Sequence, residues 1–540
     1  MQKQITTQKN SVRRGLFTGV MLLTAANIIV KLLGFFYKVP LNAVLGDEMA
    51  NVNAAYAIYA LLYTVSTAGV PNAVSLSVSR ARAAKDEARV LRLFRVTVAA
   101  LFLGGTLLSL FLVLFARPIA LLNSGGDSYL CLLAIAPALA FAAANSVLRG
   151  FFQGYERMEP TAVSELFEAF GKTGFGLLFA FLTLSLTASV QTAAALAVFA
   201  ITVGVALSAG YLALKYIKER KKLFSTRSLA PSEGARGVLL SVLRLALPIT
   251  LASAMMSVSG LLDAQLMRPL LTVFYGDAAR AKALYSDYST GALTLYNLPA
   301  ILVTPMTAAM IPYVASALER GDKRRAVHAM ESALRAASLV SLPCALGMSA
   351  LAAPILSFVF RGDADMAENT GALLSVLAVA VFFAAVFTVT SAVLQAAGEE
   401  KKPLFSLSLG LAVKVASLLL LTRLFGEIGV PVSTVLFFVT VSLVNLAQVK
   451  RTVGMRIRFA RTFLRPALAA FLSALTAYLA YAMLAPRVGN TPALLSAILA
   501  AAALYAALVL LLRCFGKEEL ALLPLSRFFI CSRQRDTDSH

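Results

Sequence analysis

The sequence predicts an all-α polytopic membrane protein. Fourteen transmembrane helices are expected, six repeated as six in parallel plus two at the C-terminus, with both termini in the cytoplasm. Three observations predict it: a very apolar composition, an alternation of charge between apolar runs, and an internal repeat.

Of the 540 residues, 59% are hydrophobic and only 14% charged, with a mean hydropathy of +0.78. A soluble domain could not cover that much apolar side chain. Apolar runs long enough to span a bilayer lie near 16–41, 52–79, 94–116, 129–152, 161–184, 189–214, 238–266, 285–317, 331–360, 369–397, 402–424, 427–449, 462–484 and 492–514. The basic start (Lys3, Lys9, Arg13, Arg14) superficially resembles a signal peptide. The run behind it is too long and lacks a small-residue cleavage site, so it reads as a retained helix.

Charge sets the orientation. Basic residues crowd alternate loops: Arg80, Arg82, Lys85, Arg89, Arg92 and Arg95; 215–222; 320–325; Lys401 and Lys402; 450–461; and a tail with Lys517, Arg527, Arg533 and Arg535. The intervening loops 46–48, 123–127, 184–191 and 362–365 are poor in Lys and Arg. The weakest case follows the seventh run, where Arg280 and Lys282 accompany Asp277. The net charge of +22 is therefore a positive-inside pattern, and no nucleic-acid partner is expected.

The repeat is carried by several landmarks in one order. Val70-Pro71 before a basic loop recurs as Thr304-Pro305; Ala116-Arg-Pro118 recurs as Ala352-Ala-Pro354; Val147-Leu-Arg-Gly150 with Pro160 recurs as Val393-Leu-Gln-Ala396 with Pro403. Beyond those prolines stand two intramembrane lysines, Lys172 and Lys414. The expected division is an N-lobe at 1–237, a C-lobe at 238–450, and helices 13 and 14 with a basic tail at 451–540. Two-lobed transporters bind substrate between such repeats.

Catalytic signatures for phosphate loops, metalloproteases or nucleophile elbows do not occur. Cys131, Cys344, Cys514 and Cys531 are scattered, and His328 and His540 have no carboxylate constellation. No catalytic residue, metal site or cofactor is expected, and the protein reads as a transporter rather than an enzyme. A membrane potential or an ion gradient would drive it.

The informative residues are charges placed where charge is costly. Lys31 lies roughly 22 Å into the first helix, where it either lines a cavity or pairs with another helix. Lys38, beside Pro40, is expected to snorkel to the headgroups. Glu165, Glu168 and Lys172 share one face of the fifth helix. Lys172 reaches about 16 Å in, while the two acids suit a cytoplasmic mouth or an ion-coupling site. A local Glu168–Lys172 pair is an equal alternative. Lys414 has no acid in its own helix, so it expects a cavity or a distant partner. Asp263 sits near the height of Lys31 on the repeat-related helix and is expected to pair with it as a gate. Arg268, before Pro269, reads as an interfacial anchor. The substrate-binding set is thus Lys31, Lys172, Lys414 and Asp263.

Lys31-Leu-Leu-Gly-Phe-Phe-Tyr-Lys-Val-Pro-Leu-Asn-Ala-Val-Leu-Gly46 and 53–71 resemble the stage V sporulation protein B family of polysaccharide-biosynthesis transporters. That family lies within the multidrug/oligosaccharidyl-lipid/polysaccharide exporter superfamily. The likeness continues through Leu148-Arg-Gly-Phe-Phe-Gln-Gly-Tyr155 and Leu394-Gln-Ala-Ala-Gly-Glu-Glu400. It implies two lobes like those of multidrug extrusion transporters, and outward flipping of an undecaprenyl-pyrophosphate-linked peptidoglycan or polysaccharide precursor. It also implies a bacterial cytoplasmic (or forespore-related) membrane, with bilayer lipids and the cell-wall synthesis machinery as partners. In related lipid II flippases a basic residue two positions before Leu-Gly lines the cavity, which matches Lys31. Their cavity arginines on the second and eighth helices meet Tyr63 or Thr64 and Thr294 here, so those contacts do not carry over. The last two helices resemble a pair that forms a lipid-tail groove. The alternative is a multidrug or cation antiporter, with Asp263 and Glu168 as coupling acids.

Overall fold

The computed structural model describes residues 2–84, 86–124, 126–187, 189–223, 234–300, 302–303, 314, 322–360, 364–454, 458–512 and 514. The repeat landmark at 304–312, part of the eighth expected span and the basic tail lie outside the described residues. Within them the chain is almost entirely helical and contains no strand. Eleven helical stretches among them are long and apolar enough to cross a membrane, and two of these, Ala25–Arg82 and Lys401–Thr452, each run through successive helices.

Two units divide the chain: Met1–Thr294 with Leu407–Ser433, and Leu295–Ser406 with Thr434–His540. The first unit holds α1 (Gln2–Leu45), α2 (Met49–Thr67), α3 (Val70–Ala83), α4 (Glu87–Leu114), α5 (Ala116–Ser124), α6 (Tyr129–Ile135), α7 (Ala138–Gly154), α8 (Glu159–Thr187), α9 (Val190–Leu223), α10 (Ala235–Tyr275) and α11 (Ala278–Asp287). A π-turn, Tyr288–Ala292, leads from α11 into the short α12 (Leu293–Tyr296).

Local chemistry marks these boundaries. Asp86 accepts from the Arg89 amide and Asp277 from those of Ala279 and Arg280, so α4 and α11 begin on acceptor side chains. Gly276 ends α10 in the left-handed region at φ 70°. Pro71 falls in the first turn of α3, where a missing amide is tolerated, and Pro137 separates α6 from α7.

The core of this unit joins Tyr37, Leu41 and Leu45 of α1 to buried Ala, Val, Ile and Leu side chains of α2, α6, α7 and α9. The approach of α8 to α9 is set by two glycines. A Cβ on Gly171 would stand 2.6 Å from Gly204 Cα, and one on Gly204 2.6 Å from the Glu168 carbonyl oxygen. Backbones can meet that closely only without side chains between them, and this fixes where α8 presents its charged residues.

The second unit holds α13 (Lys323–Ala350), α14 (Ala352–Val359), α15 (Ala364–Ala396), the start of α16 (Lys401–Phe425), most of α17 (Gly429–Val453), α18 (Arg465–Val488) and α19 (Asn490–Leu511). The short α14 opens on Ala352-Ala-Pro354, as α5 opens on its repeat mate Ala116-Arg-Pro118. An apolar groove of about 530 Å³ runs between α13, α18 and α19, lined by Leu298, Met348, Ile355, Ala474, Ile498 and Tyr505 among others.

Candidate functional site

Every charged residue singled out in the sequence falls in the first unit. Lys172 leaves α8 with its ammonium 4.9 Å from the Tyr56 ring centre and 5.7 Å from that of Tyr37. Gly176, one turn further, makes room for the Tyr37 ring: a Cβ there would lie 2.5 Å from its hydroxyl. No carboxylate partner of Lys172 occurs among the described residues. The local pair with Glu168 is therefore not formed, because Glu168 is taken by another cation.

That cation is Arg149 of α7, which the sequence reading used as a repeat landmark and in the family likeness but gave no role. Its Nη2 lies 2.8 Å from Glu168 Oε2, and it also donates to Ser164 and Ser208 hydroxyls at 3.0 and 3.3 Å. A guanidinium inside an otherwise apolar run was the available signal, since a charge there needs partners from neighbouring helices. Glu165, one turn before Glu168, has an Oε2 shielded from solvent that meets no hydrogen-bond partner.

Lys38 corrects an expectation. It does not reach toward headgroups: its Nζ donates to Thr294 Oγ1 at 3.0 Å and to the Ser289 carbonyl at 3.4 Å. Beside it, Asn53 donates to the Ser289 and Thr290 hydroxyls, both at 2.8 Å. The π-turn explains the spot, because its irregular backbone turns Ser289 toward α1 and α2. Thr294 is thus a lysine's acceptor. Lys38 and Lys172 lie within electrostatic reach of each other.

The gate expected between Lys31 and Asp263 is not formed either. Asp263 Oδ2 lies 2.7 Å from Lys414 Nζ, with side chains 3% and 1% exposed. Lys414 has therefore found its distant partner and is withdrawn from any cavity in this conformation. Lys31 is exposed on α1. Arg268 is not merely an interfacial anchor. It lies 3.7 Å from Asp127, and Lys282 contacts Asp127 at 4.0 Å and Glu48 at 2.7 Å. The two basic residues that most weakened the charge alternation thus have different roles: Lys282 closes this acid–base network, while Arg280 stacks on Tyr275.

A polysaccharide biosynthesis protein model matches residues 16–318. The chain belongs to that family. A second model, MatE, matches residues 290–420. Stage V sporulation protein B of Bacillus subtilis is 25% identical over 523 residues, covering 94% of this chain and 97% of its own. The lipid II flippase MurJ of the same organism is 24% identical over 458 residues, covering 81% and 83%. Among solved structures, lipid II flippase MurJ in an inward closed conformation superposes with a TM-score of 0.67 at 14% identity, covering 91% of this chain and 99% of that one. The family lies within the multidrug/oligosaccharidyl-lipid/polysaccharide exporter superfamily. Its members are transporters, and the chain is a multi-pass protein of the cytoplasmic membrane.

Within that family frame, four of the intramembrane cations among the described residues divide into two kinds. Arg149 and Lys414 are held by carboxylates, while Lys38 and Lys172 rest on hydroxyls, a carbonyl and aromatic faces. Only the second kind is electrostatically unspent.

Proposed function

We propose that this protein flips an undecaprenyl-pyrophosphate-linked peptidoglycan or polysaccharide precursor across the cytoplasmic membrane by alternating access. The observation that carries the reading is the pair Lys38 and Lys172, which share a region with no carboxylate on either ammonium among the described residues. Two like charges held that way at depth are costly, and a diphosphate would offset both. Charge-assisted bonds to phosphate oxygens are stronger than the neutral contacts these lysines make now.

The driving force also fits an anion. An inside-negative potential favours outward movement by about 2.3 kcal/mol per charge per 100 mV, or roughly 4.6 for a diphosphate with two charges. The groove of the second unit is apolar and suits a prenyl chain. Delivery to the cell-wall synthesis machinery follows from such a cargo. The matching relatives, a sporulation protein and a lipid II flippase, support the substrate class.

The MatE match over 290–420 favours a second reading, cation or drug extrusion. One experiment separates them. Vesicles carrying the purified protein are tested with a labelled prenyl-diphosphate sugar and, in parallel, with a cationic dye. Flipping without dye efflux is expected. Lys38→Gln and Lys172→Gln should each slow flipping about tenfold or more, the loss of one charge-assisted bond. Dye efflux without flipping would establish the antiporter instead.

A further inference from the structure

We infer that the tyrosines of α2 form a platform on which the first sugars of the lipid-linked cargo stack. The charges opposite that platform select neutral hexoses and N-acetylhexosamines over uronic acids. The inference deepens the proposed function and rests on it for the diphosphate lipid that carries the sugar.

Tyr56, Tyr59 and Tyr63 stand at i, i+3 and i+7 of α2, so they share one face over a run of about 10 Å. Ring centres lie 6.0 Å apart for Tyr56 and Tyr59 and 5.5 Å apart for Tyr59 and Tyr63. An aromatic stripe at helical spacing ordinarily serves a core, and Tyr59, 4% exposed, does so. Its two neighbours differ: Tyr56 is 40% exposed and Tyr63 half-buried. None of the three hydroxyls makes a hydrogen bond among the described residues. A buried phenol usually finds a partner, so open rings with unengaged hydroxyls suit a ligand better than a core.

The platform is held firmly. Thr64, next to Tyr63, is hydrogen-bonded to Ser257 of α10 at 2.9 Å. Further along, a Cβ on Gly69 would stand 2.2 Å from the Ala246 carbonyl oxygen, so the end of α2 lies directly on α10.

Across from the stripe, α8 presents its charges in the reverse order. Lys172 lies over Tyr56, while Glu168 and Glu165 lie within electrostatic reach of Tyr63. A diphosphate held by Lys172 would therefore put the sugar bonded to it on Tyr56, and the next sugar beside Tyr63. The apolar C–H face of a pyranose suits the electron-rich face of an aromatic ring. Hydroxyls at its rim suit phenol and carboxyl oxygens.

The far end reads charge. Arg149 is already bound to Glu168 at 2.8 Å, which withholds it from an acidic sugar. Glu165 has one oxygen shielded from solvent and makes no hydrogen bond among the described residues. Its carboxylate accepts from a hydroxyl or an acetamido N–H and repels a uronate. Selection of this kind works as much by excluding the wrong group as by holding the right one.

Calorimetric binding to the full-length protein in nanodiscs tests this with three soluble probes. Each is farnesyl diphosphate capped on its outer phosphate, by a methyl group, by two linked N-acetylglucosamines, or by N-acetylglucosamine followed by glucuronic acid. The neutral disaccharide lipid should bind more tightly than the methyl ester. Tyr63→Leu should weaken it roughly two- to tenfold, the range of one ring contact, and leave the methyl ester unchanged. Tyr63→Phe keeps the ring and should keep most of the affinity. The glucuronic acid lipid should bind about tenfold more weakly than the neutral one, a gap that Glu165→Gln should narrow.

Equal binding of the methyl and disaccharide lipids, or a Tyr63→Leu loss shared by both, overturns the platform and leaves the flippase reading standing. A gap that Glu165→Gln does not change overturns the selection. Protein that binds none of the three lipids overturns the cargo and the platform together.

Discussion

The Asp263–Lys414 pair makes a quantitative prediction about stability. Both side chains are withdrawn from solvent and the oxygen–nitrogen distance is 2.7 Å. Removing one partner of such a pair strands a buried charge and typically costs about 3–5 kcal/mol. Replacing both with apolar groups of similar volume is often neutral or stabilising. Asp263→Asn should therefore lower the unfolding midpoint markedly, on the order of 5 °C, whereas Asp263→Leu combined with Lys414→Met should recover most of the loss. The chain has no tryptophan, so unfolding of the detergent-purified protein is followed with a thiol-reactive dye that reports the buried Cys131 and Cys514. The double-mutant cycle isolates the coupling from unrelated effects of each substitution. A single variant that unfolds at the wild-type temperature, or a double variant as unstable as the single one, would refute a buried, mutually dependent pair.

Two further outcomes follow from the geometry. Gly347 lines the apolar groove, and a Cβ there meets nothing within 4 Å. Gly347→Leu should fill the groove without unfolding the protein, slowing the flipping of long prenyl diphosphates several-fold while sparing a short-chain analogue; equal effects on both would remove the groove from the mechanism. The Glu48–Lys282 contact at 2.7 Å should be rescued by exchange. Glu48→Lys alone should slow or bias transport, and adding Lys282→Glu should restore it, as judged in the same vesicles. Because both side chains are partly exposed, the energy involved is small, about 1 kcal/mol or less, and the effect should fade at high salt.

The all-helical, membrane-spanning character was legible because it depends on composition and run length, which no packing detail can reverse. The charges worth attention were also legible, because a lysine or glutamate inside an apolar run is anomalous wherever it points. Their partners were not. Helical spacing relates residues on one helix, so it offered Glu168 to Lys172. It could not show that Gly171 and Gly204 let α9 close against α8, or that Arg149 arrives from α7. Matching heights on repeat-related helices suggested Asp263 for Lys31, but height without azimuth leaves several neighbours possible, and Lys414 is the one that meets it. Lys38 was misjudged for a related reason. Its distance along α1 suggested the headgroups, whereas the π-turn at Tyr288–Ala292, invisible to a period-based reading, provides acceptors for it inside.

The division of the cations has a thermodynamic logic. An incoming phosphate that recruits Lys414 must first break its bond to Asp263, and one that recruits Arg149 must break its bond to Glu168; such penalties rival the gain from the new contact. A lysine over an aromatic face gives up only about 0.5–2 kcal/mol, and one on a hydroxyl about as little. Lys172 and Lys38 can therefore bind and release an anion with small barriers on both sides, which a carrier requires. Tight, permanent partners suit residues that hold helices together, and loose, neutral ones suit residues that meet cargo. On this reasoning, moving an acid next to Lys172 should harm transport more than deleting the lysine's aromatic neighbours, because the new carboxylate would compete with every substrate phosphate.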